Sequence, residues 1–112
     1  MKTAQLNQNN IFNDNKPAIS VLIDSESTKE IKILMKKGQI MKKHQTKFPI
    51  VVEIFDGEID FGVNNEVLKL KKGDLISLEG DVPHDLVAKL DSIIRLSLSK
   101  NDTAERVKAI IE

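Results

Sequence analysis

An all-β barrel or sandwich carrying one short C-terminal helix is the fold class predicted by three features of this chain. Apolar residues recur at every second position through most of its length, the period of a half-buried strand. Turn-forming pairs interrupt these runs at short intervals, the rhythm of many short strands. Only near the end does the spacing change to that of a helix. The 112 residues, 40% hydrophobic and 30% charged, amount to a single domain over 1–112. A core of that size buries roughly two-thirds of the surface exposed by the unfolded chain, so no covalent staple is required.

Residues from about 1 to 15 are mostly polar and are expected to be loosely ordered. The strand runs that follow are Ile19, Val21 and Ile23, then Ile31, Ile33 and Met35, then Phe48, Ile50, Val52 and Ile54. After them come Ile59, Phe61 and Val63, then Leu68 and Leu70, then Ile76 and Leu78, and finally Ile94, Leu96 and Leu98. Alternate residues share one face of a strand, so each run presents an apolar face. Breaks fall at Lys37-Gly38, Asp56-Gly57, Asn64-Asn65, Lys72-Gly73 and Glu79-Gly80, and the first four permit a positive φ or a tight reversal. At the end, Asp102-Thr-Ala-Glu105 has the form of a capping box, with Asp102 accepting from first-turn amides and Glu105 reaching back. Ala104, Val107, Ile110 and Ile111 then share a helical face, which predicts a helix over about 102–112.

Composition removes several functions. Without cysteine there is no thiolate nucleophile, no disulfide and no cysteine-held zinc or iron–sulfur site. Seventeen basic residues balance seventeen acidic ones, and with no Trp, no Tyr and four Phe there is little to stack on bases, so no nucleic-acid partner is expected. The opening ten residues lack the apolar core of a signal peptide, and no apolar run reaches bilayer length. The expectation is a cytoplasmic protein without a membrane partner. No Ser stands near either His in a triad pattern, and the five glycines are scattered singly, so no phosphate-cradling loop is present. Charge is segregated: seven lysines against one acid from Lys29 to Lys47, then eight acids against three lysines from Glu53 to Asp81. Alternation along adjoining strands creates such solvated outward positions automatically, although a basic stretch is also able to steer an anionic ligand.

From Gly38 onward two spaced motifs emerge. The first reads Gly38, five residues, His44, Gln45, Thr46, three residues, Ile50, six residues, Gly57. The second reads Gly73, five residues, Glu79, Gly80, Asp81, two residues, His84, three residues, Ala88. Both keep the spacing of the cupin superfamily, whose motifs have the forms G-x5-H-x-H-x3,4-E-x6-G and G-x5-P-x-G-x2-H-x3-N. The chain therefore resembles a small single-domain cupin of the RmlC-like type. The resemblance implies a double-stranded β-helix, the jelly-roll barrel of that superfamily. It also implies that His44 and His84 occupy two of the four positions at which metal-binding cupins hold a divalent ion. The second His position of the first motif is Thr46 here and the Glu position is Ile50.

What the resemblance implies for the site is an incomplete ligand set. His44 and His84, the only histidines, are the candidate metal ligands, and a weakly held divalent transition metal is the one cofactor implied. The plain alternative is that each is an imidazole satisfied by a hydroxyl or a backbone group. Thr46 alternates with His44 and is expected to point the same way, while Phe48, Ile50 and Val52 make the inner wall apolar. The expected pocket is therefore lined by His44, Thr46, His84, Phe48, Ile50 and Val52, with no catalytic residue identified. Glu53 and Asp60 fall on the opposite strand phase and are not candidates for a general base, and Met35 and Met41 are read as packing residues.

Two functions follow, and the missing ligands favour the first. One is a small-molecule-binding cupin-fold protein that recognises an organic ligand through an apolar barrel pocket and a few polar groups. The other is a metal-dependent enzyme of the dioxygenase, isomerase or decarboxylase type that uses His44 and His84. A barrel with a filled interior, serving as a structural dimer, would show no cavity beside His84. Val51, Phe55 and Ile93 are apolar yet out of phase with the interior, which predicts a two-fold homodimer that covers the outer face of one sheet.

Overall fold

The computed structural model describes residues 1–100, and the expected helix over 102–112 lies outside the described residues. Nine strands make up the described fold: β1 (Ala18–Asp24), β2 (Thr28–Met35), β3 (Ile40–His44), β4 (Ile50–Asp56), β5 (Glu58–Val63), β6 (Glu66–Lys71), β7 (Leu75–Leu78), β8 (His84–Ala88) and β9 (Ser92–Ser99). They form a five-stranded sheet in the order β1-β2-β9-β4-β7 and a four-stranded sheet in the order β3-β8-β5-β6. Every pairing is antiparallel. From β2 to β5, and again from β6 to β9, consecutive strands change sheet, so the chain winds around a shared interior as a jelly-roll barrel does.

Turn chemistry sets these crossings. Asn64 and Asn65, at φ of 52° and 61°, close the two-residue hairpin between β5 and β6, the mirror-image turn whose twist matches the strands it joins. Gly57 turns the chain from one sheet to the other at φ of 100°, and a Cβ there would meet the Asp91 carbonyl oxygen at 2.7 Å. Only glycine meets both requirements. Glu79-Gly80 behaves differently: the positive φ falls one residue later, at Asp81, with 63°.

Between the sheets lies one apolar cluster that includes Ile33, Met35, Ile54, Ile59, Phe61 and Ile94, the last five no more than 1% exposed. These are the alternate positions read as core-facing, and each such aliphatic side chain contributes roughly 1.5–3 kcal/mol by leaving water. Two departures from simple alternation are visible. Ile19 and Val21 lie opposite Ile33 and Ile31 and so share their face, yet they are 59% and 54% exposed because β1 is the edge strand. Lys32 and Leu34, on the outward phase of β2, are nonetheless 5% and 4% exposed. The Lys32 ammonium donates to the Gln8 carbonyl and to Asn10 Oδ1, both at 2.8 Å, so the strandless N-terminal stretch crosses that face.

The outward charges on the five-stranded sheet form a joined set. Arg95 on β9 donates through Nε to Glu53 on β4 and through Nη1 to Glu30 on β2, each at 2.8 Å, and Ser97 Oγ donates to the other Glu30 oxygen at 2.6 Å. Part of the charge segregation along the chain is thus resolved across three neighbouring strands. Glu53 is bonded outside the barrel, as its strand phase requires.

Candidate functional site at the histidine pair

β3 and β8 lie side by side, and their register sets His44 directly opposite His84. Opposed residues in an antiparallel pair point to the same side, so both imidazoles face the barrel interior. Their ring centroids are 4.3 Å apart with planes inclined at 61°. On its other side His84 stacks on Phe61 of β5 at 5.5 Å and 8°, and it is only 3% exposed. The loop that leads into β8 is pinned to the end of β3: the Asp81 amide donates to the Thr46 carbonyl at 2.7 Å. Gly80 runs so close to Lys47 that a Cβ on it would overlap the Lys47 carbonyl oxygen.

Both imidazoles are oriented in the same way. His44 Nδ1 lies 2.7 Å from the Lys42 carbonyl and His84 Nδ1 lies 2.9 Å from the Val82 carbonyl. A carbonyl only accepts, so each Nδ1 carries the proton and, in the neutral ring, each Nε2 keeps its lone pair. Burial pushes the His84 imidazole below its ordinary pKa; the Val82 carbonyl and Asp85 oppose that shift, and the neighbouring His44 adds to it. His84 is therefore a neutral base at pH 7, with Nε2 available to a hydrogen-bond donor or a soft cation.

The interior beside the pair is nearly full. A void of about 20 Å³ remains, walled by His44, His84 and Met41 with Ile33, Val52, Leu86, Ile94 and Leu96 around them. That is room for roughly one water, whereas pockets that enclose organic ligands measure about 300–1,000 Å³. Of the expected pocket residues, His44, His84 and Val52 meet around this void. Thr46, Phe48 and Ile50 do not line it. The reason is local: β3 ends at His44, so the two-residue repeat that would carry Thr46 inward stops there. Thr46 Oγ1 instead donates to the Phe48 carbonyl at 3.0 Å, Phe48 is half-buried with the Lys47 ammonium 5.5 Å from its ring centre, and Ile50 packs in the core at 2% exposure.

Met41, read from the sequence as a packing residue, packs against the core cluster. It stands three positions before His44, so alternation alone would set the two on opposite faces. A register shift between them pairs Met41 with Leu86 while His44 pairs with His84, three steps on β3 against two on β8, and both then face the interior. No turn residue marks that bulge in the sequence. Met41 and His44 also reach the surface, where with Lys16, Pro17, Ile19, Ile40 and Lys42 they line an open groove of about 410 Å³.

A divalent ion held as in metal-binding cupins does not fit these residues. Among the described residues no three His, Cys, Asp or Glu side chains converge, and the positions that would supply the second imidazole and the carboxylate are Thr46 and Ile50. Metal sites with two protein donors fall short of the three that catalytic centres use.

No family model matches the chain. No curated protein is similar to it in sequence. Solved structures match it over nearly its whole length at low identity. An RmlC-like cupin protein from Desulfovibrio desulfuricans superposes with a TM-score of 0.81 at 20% identity, covering 88% of this chain and 96% of that one. An uncharacterized conserved protein with a double-stranded β-helix domain from Klebsiella pneumoniae gives 0.78 at 17%, with 93% of each chain covered. KdgF from a Halomonas species gives 0.74 at 16%, covering 94% of this chain and 99% of that one. The chain thus has the fold of a small RmlC-like cupin, a double-stranded β-helix, as the motif spacing implies.

Proposed function

We propose that this chain is a small-molecule-binding protein of cupin fold whose ligand occupies the groove at the barrel mouth rather than the barrel interior. The observation that carries the reading is the contrast in space at the same two residues. Met41 and His44 border an interior void of about 20 Å³ on one side and a groove of about 410 Å³ on the other. The groove falls in the size range of organic-ligand sites. Its lining combines the apolar Pro17, Ile19, Ile40 and Met41 with Lys16, Lys42 and the His44 imidazole. An apolar body with a carboxylate head matches that lining: the body covers Ile19 and Ile40, which are 59% and 56% exposed, and the head meets the lysines.

Calorimetric titration with octanoate and phenylacetate tests this reading. Saturable binding is expected, weaker for octanamide, which lacks the charge, and abolished in Ile40→Asp, an exposed position where the fold tolerates the change. Equal binding by Ile40→Asp, or no binding of either carboxylate by the native chain, would overturn it.

A further inference from the structure

We propose that the cleft between residues 4–6 and the outer face of the five-stranded sheet binds a small uncharged carbonyl compound with an apolar body. The proposal goes beyond the groove reading and does not depend on it. The N-terminal stretch is tied down on either side of these residues: the Lys2 ammonium donates to the Asp24 carbonyl, and Lys32 holds Gln8 and Asn10. Between the two ties lies a cleft of about 320 Å³, walled by Ala4 and Leu6 from the stretch and by Leu22, Ile23 and Phe55 from the sheet. That volume is in the range of organic-ligand sites, and the walls are apolar. Val51 and Ile93, the other apolar residues of that outer face, stand outside the lining, so the cleft is not the dimer face itself.

The charges beside the cleft select the head group. Arg95 lies opposite Lys32 on one side and opposite Glu53 on the other, and with Glu30 these four side chains sum to zero. A charged ligand entering here would find no net counter-charge to offset its lost hydration. Hydrogen bonding narrows the class further. Arg95 and Glu30 both line the cleft, as does Gln5. The two Glu30 oxygens are engaged, one by Arg95 Nη1 and the other by Ser97 Oγ. Arg95 spends Nε on Glu53 and Nη1 on Glu30, while its Nη2 has no partner among the described residues. Gln5 Oε1 accepts from the Asn7 amide at 3.3 Å, and Gln5 Nε2 likewise has no partner among the described residues. What the cleft offers is unspent N–H donors over apolar walls, which a carbonyl oxygen with two lone pairs on an apolar body answers.

The test is a methyl-resolved NMR titration of the full chain with acetophenone, an uncharged aryl ketone, beside benzoate and benzylammonium, which share its ring but carry charge. Saturable shifts are expected for acetophenone at Leu6, Leu22 and Ile23, with Ile40 in the groove unmoved. Either ion should bind there at least about tenfold more weakly. Leu6→Ala, a change in the strandless stretch, should keep the native circular dichroism spectrum and weaken acetophenone binding by about fivefold or more. Absence of saturable shifts at Leu6, Leu22 and Ile23 would overturn the proposal. So would equal binding of benzoate or benzylammonium at those residues, or unchanged affinity in Leu6→Ala. Should that variant not fold, the native shift map decides alone. Octanoate reports on the groove at Ile40 and acetophenone on the cleft at Leu6, so the two readings fail separately.

Discussion

His84 shows how a residue's position controls its charge. Burial lowers its pKa from the ordinary 6.5, the Val82 carbonyl and Asp85 pull upward, His44 across the strand pair pushes further down, and the stacked Phe61 carries no charge. The unfolded chain then binds a proton at higher pH than the folded chain does. Stability from this group is complete above the unfolded pKa and is lost as pH falls through that value toward the lowered one. Urea midpoints in the presence of a chelator are expected to fall as pH drops from 7 to 5, and His84→Phe should flatten that dependence; a native slope that persists in the variant would contradict the assignment. Gly80 supplies a second residue-scale expectation. Its backbone passes against Lys47 without a positive φ, so Gly80→Ala should destabilise by about 1–3 kcal/mol through overlap alone, read as a lowered urea midpoint. The two histidines were legible because motif spacing fixed both positions. Thr46 falls outside the void because β3 ends at His44, which nothing in the sequence marks, and Met41 packs against the core as read, on a face that a bulge sets.

At the scale of elements, alternation identified the strand runs and their inward faces through β4, β5 and β9, where both neighbours are strands and one face is enclosed. It was least informative at the edges. Ile19 lies on the inward phase of β1 yet remains exposed, and Lys32 lies outward on β2 yet is buried by the N-terminal stretch. Edge position and a covering segment are tertiary facts that a two-residue period does not encode. The link between Arg95, Glu30 and Glu53 joins β9, β2 and β4, with the three side chains 30%, 18% and 24% exposed. Arg95→Met is expected to cost about 1–3 kcal/mol by stranding two partly buried carboxylates. A variant whose urea midpoint at neutral pH equals the native value would show that the link contributes only register.

For the whole molecule, no described helix is long and apolar enough to cross a membrane. A two-fold homodimer through the outer face of the five-stranded sheet is our proposal for its assembly. Val51, Phe55 and Ile93 on that face are half-buried, and Leu75, on the same outward phase of β7, is 59% exposed. Light scattering at tens of micromolar should give twice 12.6 kDa, and a mass near 12.6 kDa would contradict the dimer. The fold was legible as a whole because two motifs in order fix turns and histidine placement together, while β3 and β8, the strands that carry the histidines, show no alternation run of their own and the expected ten or so strands are nine among the described residues. The capacity of the interior was not, because whether a jelly roll encloses a pocket or a packed core depends on side-chain volumes summed across both sheets. In the proposed function the barrel interior is nearly full and the ligand sits outside it. Methyl-resolved NMR during octanoate titration tests it most directly. Saturable shifts are expected at Ile19, Ile40 and Met41 with none at Val52 and Ile94, whereas shifts at Val52 and Ile94 that leave Ile19 and Ile40 unmoved would place the ligand inside and contradict the account.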